Sequence, residues 1–273
     1  MPMIARAYIP GYPLSNFVAL FWYQEGYRPD HQRERVLPDG SGEFIINLSG
    51  DHLPIFDAHQ PDQWIKGSNC LVYGPRSEFF VIDTAQNRAI MGIHFKPGGV
   101  FPFFKLPADE LQNQIIPLEI LWRSKANELH ERLLAATDLN QRFRILEQVL
   151  TEQIVQPLTQ HNAVKYVLSE FMKGQPSVVQ LSDQMGISQR RLSEVFRKEV
   201  GLTPKLFSRL FRFHSLIVAL KQKTAVHWAD LSVHHGYYDQ AHFIHDFQAF
   251  SGLTPQLYFE QRSERPQHVP MER

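Results

Sequence analysis

A single cysteine, Cys70, is all the chain has, so no internal disulfide can form and nothing clusters with it as a zinc site would require. It lies in an apolar run, where a buried, unreactive thiol is expected. Net charge is lacking too: 28 Lys+Arg balance 28 Asp+Glu, which at face value argues against a nucleic-acid partner. No apolar stretch approaches the roughly 18–20 residues that cross a bilayer, so no membrane partner is expected. The opening Met1-Pro-Met-Ile-Ala-Arg6 lacks the basic-then-apolar order of a signal peptide, so the expected location is a reducing cytoplasm. Catalytic signatures are missing as well. There is no G-x-S-x-G, H-E-x-x-H, G-x-x-x-x-G-K-[ST] or strand-borne G-x-G-x-x-G, and no His-x-His pair of the kind that holds a metal in a β-barrel. No enzyme activity, cofactor or metal is therefore expected. Gly98-Gly99 after Pro97 could cradle an anion, but a tight turn is the better explanation.

At 273 residues there is room for two domains, each with its own core. Residues 1–106 carry β-type runs: Glu43–Leu48, Cys70–Tyr73, Phe79–Ile82 and Ala89–Phe95, bounded by turn residues such as Pro38-Asp-Gly-Ser-Gly42 and Lys96-Pro-Gly-Gly99. The expectation is an all-β barrel or sandwich, without the βαβ alternation of a nucleotide-binding sheet. Ten of the 20 phenylalanines lie there, with Trp22, Trp64 and five tyrosines. They either fill the core or line a cavity for an apolar or aromatic small molecule. Residues 107–157 read as a helical linker, with Leu118, Leu121, Trp122, Leu129 and Leu133 at helical spacing, then Phe143, Leu146, Val149, Leu150 and Ile154. These stripes face either the domain's own core or a second subunit. Asn162 is the expected N-cap of a helix over 163–173. Residues 263–273, polar with two prolines, read as a disordered tail.

The remaining segment, 158–262, carries the most informative pattern. Leu181-Ser-Asp-Gln-Met-Gly186 recurs as Leu231-Ser-Val-His-His-Gly236; the first copy runs through Leu192 and Phe196 to Gly201-Leu-Thr-Pro204, the second through Phe243 and Phe247 to Gly252-Leu-Thr-Pro255. Each copy reads as a supporting helix, a turn at glycine, and a second helix capped by Ser188 or Asp239. This is a tandem helix-turn-helix, and duplex DNA is its expected ligand. Charge follows the repeat: residues 161–260 hold 11 Lys+Arg against 8 Asp+Glu with seven histidines, whereas residues 1–160 hold 14 against 18. In the first reading helix Gln189, Arg190, Ser193, Glu194 and Arg197 face away from the apolar stripe. In the second Gln240, Ala241, His242 and His245 do. Gln and Arg match adenine and guanine edges bidentately, although a solvated helix face would look the same. Thr203-Pro204 starts a connector of about 19 residues, roughly 28 Å long, near the ~34 Å between successive major-groove faces. Arg209 and Arg212 on it are phosphate ligands or surface salt-bridge partners.

These motifs resemble the DNA-binding domain of the AraC/XylS transcriptional regulators over about 100 residues. They include Gly236-Tyr-Tyr-Asp-Gln-Ala-His-Phe243 and Gly252-Leu-Thr-Pro-Gln-Leu-Tyr258. The resemblance implies an all-α domain of seven helices with base-reading positions at Gln189, Arg190, Ser193, Glu194, Gln240, Ala241, His242 and His245. It also implies promoter-specific regulation of the bacterial type. Ser232 departs from the family's alanine, and Ala241 can offer only an apolar contact to a thymine methyl. Leu37-Pro-Asp-Gly-Ser-Gly-Glu-Phe-Ile-Ile-Asn47, Tyr73-Gly-Pro75 and Gly92-Ile-His-Phe-Lys-Pro-Gly-Gly99 resemble an uncharacterised N-terminal domain of some of these regulators, where a cupin-like barrel senses a small effector or mediates dimerisation. A promoter or operator, a small-molecule effector, RNA polymerase and a second copy of the chain are thus the candidate partners; the effector-binding residues are unknown. The alternatives are a constitutive regulator with a dimerisation module and a β-barrel enzyme with a DNA-binding tail.

Overall fold

The computed structural model describes residues 3–49, 52–56, 58, 60, 62–84, 88–174 and 176–271. Its first part is β-rich: β1 (Ile4–Tyr8), β2 (Val18–Glu25), β3 (Arg33–Val36), β4 (Glu43–Asn47), β5 (Pro54–Phe56), β6 (Trp64–Lys66), β7 (Cys70–Tyr73), β8 (Phe80–Asp83), β9 (Ile90–Phe95) and β10 (Ile115–Pro117). β1, β2, β9, β4, β7 and β10 form one antiparallel sheet in that order, and β5 and β6 form a hairpin. β10 takes the sheet past the boundary expected at residue 106.

Alternation along the central strands sets the architecture. Phe21 and Tyr23 on β2, Phe44 and Ile46 on β4, and Met91, Ile93 and Phe95 on β9 point to one face and are buried. That face is covered by α1 (Leu118–Trp122), α2 (Ser124–Ala135) and α3 (Leu139–Glu152), through Leu129, Leu133, Phe143 and Leu146. The helical stripes thus bury against the chain's own sheet. Fully buried rings such as Phe44, edge-on to Phe95 and Trp122, would cost about 3–5 kcal/mol each to truncate to alanine. The expected single run over 118–133 is two helices, because Arg123 takes φ 53° and breaks it. On the other face of the sheet, Trp22, Glu43, Ile45, Ile90 and His94 look into a cavity. Trp22 crosses over its strand partner Gly92, where an added Cβ would sit 2.3 Å from the indole, so glycine is required there.

The second part is helical: α4 (Asn162–Lys173), α5 (Val178–Met185), α6 (Gln189–Val200), α7 (Pro204–Leu220), α8 (Trp228–His234), α9 (Gln240–Ser251) and α10 (Pro255–Gln261). These are the seven helices the family resemblance implies. The N-cap of α4 is His161, whose ring Nδ1 accepts from the Ala163 amide, and not Asn162, which is the first helical residue.

The tail differs most from expectation. Instead of being disordered, residues 263–271 return to the β-part and form β11 (His268–Pro270), which pairs antiparallel with β3 in a three-stranded sheet β11-β3-β8. Val269 is completely buried, and the Leu37 amide donates to the Gln267 carbonyl at 2.8 Å. Two prolines do not prevent this, since β11 is an edge strand that needs few of its own amide hydrogens. The two parts also share apolar packing: Leu37, Phe79 and Val81 join the same core as Phe207, Leu210 and Phe247. Phe79 lies against Gly252, where an added Cβ would come within 2.7 Å of its ring.

Candidate nucleic-acid interface and ligand cavity

The repeat is preserved down to single hydrogen bonds. In the first unit Gly186 is left-handed at φ 64°, the Ile187 amide donates to the Ser182 carbonyl, and the Ser188 hydroxyl caps α6 by accepting from the Arg191 amide. In the second, Gly236 is at φ 74°, the Tyr237 amide donates to the Ser232 carbonyl, and Asp239 caps α9 by accepting from the His242 amide. Ser182 and Ser232, both buried, return their hydroxyls to the carbonyls of Val179 and Ala229 at 2.8 Å. This satisfies the hydroxyl and explains why serine replaces alanine at position 232 without harm. Thr203 with Pro204 and Thr254 with Pro255 start α7 and α10 alike.

Each unit buries one stripe and shows the opposite face. Leu192, Val195, Phe196 and Val200 are buried on α6, and Phe243, Phe247 and Phe250 on α9. Gln189, Arg190, Glu194 and Arg197 are exposed and Ser193 is half-buried. Arg190 Nε pairs with Glu194 Oε1 at 3.0 Å one turn along the same face. On α9, Gln240, Ala241 and His245 are exposed. His242 is turned partly inward, its ring 5.4 Å from Tyr237 and Nε2 3.6 Å from Asp246.

The arginines are engaged within the chain. Arg209 reaches the buried carboxylate of Asp246 with NH2 at 2.6 Å and Nε at 3.1 Å, so the ion-pair alternative describes it in this structure. Arg212 donates to the Gly236 carbonyl at 2.9 Å and lies over the Tyr237 ring. Arg197 pairs with Asp109 of the β-part at 2.8 Å, and Pro107 and Asp109 border the face carrying Arg190, Ser193 and Glu194. Sequence reasoning missed Asp246, on which Arg209, His242 and His245 converge from two helices. An aspartate inside an otherwise apolar stripe (Phe243, Phe247, Phe250) was the available signal. It also missed Tyr238, 91% exposed just before the cap of α9.

The cavity lies between the six-stranded sheet and β3, β8 and β11, and encloses about 440 Å³. Of the rings that either fill the core or line a cavity, Trp22, Tyr27, Tyr73 and Phe80 line this one. Phe21, Phe44, Phe95, Phe103 and Phe104 fill the core on the opposite face, and Trp64 is exposed on the β5–β6 hairpin. Trp22 donates its indole hydrogen to Glu43 Oε1 at 2.8 Å, and His94 stands between Glu43 and Asp39 at 3.9 and 3.4 Å. Burial raises the Glu43 carboxyl above its ordinary value, more than His94 and Trp22 lower it. For Asp39 burial acts upward, but His94 and two hydrogen bonds from Ser41 bring it below its ordinary value.

Cys70 is buried, which pushes its thiol up to about 12. Among the described residues no three His, Cys, Asp or Glu side chains are grouped to hold a metal ion. Gly98, at φ 78°, belongs to a turn closed by the Gly99 amide on the Lys96 carbonyl, and it packs against Gln160 and Val200 of the helical part. No helix among the described residues is long and apolar enough to cross a membrane.

Residues 181–261 match the family described as a helix-turn-helix domain, and residues 6–117 match a domain of unknown function (DUF6597). No curated protein matches the chain. Among solved structures it is similar to ToxT from Vibrio cholerae, at 10% identity over 87% of this chain and 98% of that one, with a TM-score of 0.46. A second ToxT structure, from Vibrio cholerae O395 bound to (E)-4-(8-methylnaphthalen-1-yl)but-3-enoic acid, gives 10% identity, the same coverage and a TM-score of 0.48. The C-terminal domain of AraT, a response regulator from Geobacillus stearothermophilus, covers 39% of this chain and 92% of its own at 18% identity, with a TM-score of 0.36. At TM-scores below 0.5 these superpositions do not themselves define the fold. The tandem helix-turn-helix and its matched family define a DNA-binding transcription regulator. The chain carries a DUF6597 domain over 6–117 ahead of a helix-turn-helix domain over 181–261, whose motifs resemble those of the AraC-type regulators.

Proposed function

We propose that the chain is a sequence-specific transcriptional regulator that reads two adjacent major grooves, one with α6 and one with α9, under the control of a small molecule held in the β-part. The observation that supports two-groove reading is the pairing of equivalent helix-turn-helix units on one 17-residue connector, α7, about 26 Å long. Gln189 and Arg190 at the start of α6, and Gln240 at the start of α9, are the base-reading residues, where a recognition helix meets base edges. Ser193, Glu194, Ala241 and His245 flank them. Arg197, Arg209 and Arg212 reach phosphates only by giving up the partners described above. For a regulator of the bacterial type the cytoplasm is the place of action and RNA polymerase the further partner.

Small-molecule control is favoured over a bare dimerisation module by the cavity. Its 440 Å³ falls within the ~300–1,000 Å³ of ligand pockets, with an aromatic wall and a few convergent polar groups. Selection of bound sites from random duplex DNA tests the DNA reading. A consensus with two half-sites about 10 base pairs apart, bound less tightly as salt rises, is the expected result. Recovery of no consensus, or affinity that is constant between low and high salt, would overturn it.

A further inference from the structure

We infer that the cavity is a ligand site completed by the segment following the last helix of the DNA-binding domain. Its ligand is a ring-bearing carboxylic acid with an N–H or O–H donor at its far end; Arg265 receives the carboxylate and Glu43 the donor. This rests on the small-molecule reading above and adds the wall, the ligand class and the route to the helical part.

The segment forms a wall of the cavity with Arg265, Gln267 and His268. It is tied to one sheet by β11–β3 pairing and by His268 Nδ1, 2.8 Å from Glu34 Oε2. It is tied to the other by Arg265, which donates to Gln24 Oε1 at 3.0 Å and lies over the Tyr27 ring. The two polar ends of the cavity follow from strand register. Glu43 pairs with His94 and Gln24 pairs with Ile90 on the same strand β9, four residues apart. At ~3.3 Å per residue the Glu43 and Arg265 ends are about 13 Å apart. Between them lie Ile45 and the Trp22 indole, laid over Gly92, while the Tyr73 and Phe80 rings, 4.6 Å apart, wall the Glu43 end, where Tyr73 is the strand partner of Glu43.

The charges at the two ends are unequal. No carboxylate lies within ion-pair distance of Arg265 among the described residues; its side-chain acceptors are Gln24 and the Met3 sulfur. A guanidinium beside a ring suits a carboxylate, which it can take bidentately. At the other end Glu43 uses Oε1 for Trp22, and its side chain remains 24% exposed where it lines the cavity, so it can accept a further donor. A flat ring between them matches the aromatic wall.

The same segment reaches the reading helices. Only three residues separate the end of α10 from Arg265. Tyr258 on α10, wholly buried and 5.4 Å from the Phe247 ring of α9, donates its hydroxyl to the Pro266 carbonyl at 2.8 Å. Gln267 Nε2 lies 3.0 Å from His214 Nε2 on the connector α7 and 3.4 Å from Asp39 Oδ2. A ligand that moves Arg265 or Gln267 therefore acts on the elements that set α6 and α9.

The experiment is calorimetric titration of the full chain with a panel of amino- and hydroxy-substituted phenyl, naphthyl and indolyl carboxylic acids, each beside its carboxamide and its unsubstituted ring acid. The expected result is binding of at least one acid, weakened roughly 10–100-fold as the amide or in Arg265→Ala, and also weakened in Glu43→Gln. Saturating acid should change affinity for the selected DNA site, and Tyr258→Phe, which lies outside the cavity and loses the hydrogen bond to Pro266, should reduce that change while leaving the acid's Kd within about threefold. Retained folding of the variants is read from their thermal transitions. If acids and amides bind alike and Arg265→Ala changes nothing, the inference falls while the small-molecule reading stands. If no ring compound of any charge binds, the small-molecule reading falls with it.

Discussion

The guanidinium of Arg209 meets the carboxylate of Asp246 at 2.6 Å, joining the connector helix α7 to the reading helix α9. The carboxylate is 1% exposed and the guanidinium 29%, so removal of one partner leaves the other poorly solvated. Arg209 is also raised above its ordinary pKa, chiefly by its hydrogen bonds to Asp246, so the guanidinium keeps its proton in the pair. Asp246→Ala should therefore destabilise the chain by roughly 3 kcal/mol. It should also free α9 to shift relative to α6. Urea denaturation reads the first effect. The second appears as a larger loss of affinity for a site with both half-sites than for a site with only the α6 half. An unchanged denaturation midpoint would show that the pair does not hold the two units together.

Arg197 and Asp109 place an acidic group of the β-part beside the reading face of α6. A carboxylate there repels phosphates and holds a cation that DNA would otherwise attract. Asp109→Asn is expected to tighten DNA binding by about threefold, the scale of an exposed ion pair. The gain should be largest at low salt. Equal affinities of variant and parent at every salt concentration would show that Asp109 lies clear of the bound DNA.

Glu34 ties β3 to the tail. Burial pushes its carboxyl up, but hydrogen bonds with His268, Tyr27 and His31 outweigh this and hold it at about 2, below its ordinary 4.5. A carboxyl with a depressed folded pKa stabilises fully above about pH 4.5, and that contribution disappears as pH falls toward 2. The unfolding free energy of the chain should therefore fall more steeply between these values than that of Glu34→Gln. Amide protection at His268, Val269 and Met271, taken relative to intrinsic exchange at each pH, should fall over the same window. Parallel acid limbs for parent and variant would contradict this account.

The repeat made the helical part legible residue by residue, because its signals are local. Ser188, Thr203, Pro204, Asp239 and Gly186 each act on the backbone within three residues, and each has the role its chemistry suggests. The β-part was harder because strand pairing is not local. β2 carries Val18-Ala-Leu-Phe-Trp-Tyr without polar alternation, since helices cover one of its faces and the cavity lies on the other. Its period therefore did not mark a strand. β11 was illegible for a related reason: His268–Pro270 has no strand-like composition, and only its partner β3, more than 230 residues away, makes it a strand. The cavity's ring-rich wall was half legible. Composition showed the aromatics but not which face of the sheet each one would take.

The central claim is that α6 and α9 each read their own groove, and base-specificity profiles of Arg190→Ala and Gln240→Ala test it most directly. Each variant should lose roughly 1–3 kcal/mol on the preferred site and relax selection at one base position. The two positions should lie about one helical turn, ~10 base pairs, apart. Uniform weakening on all sequences, or relaxation of both variants at the same position, would contradict the account.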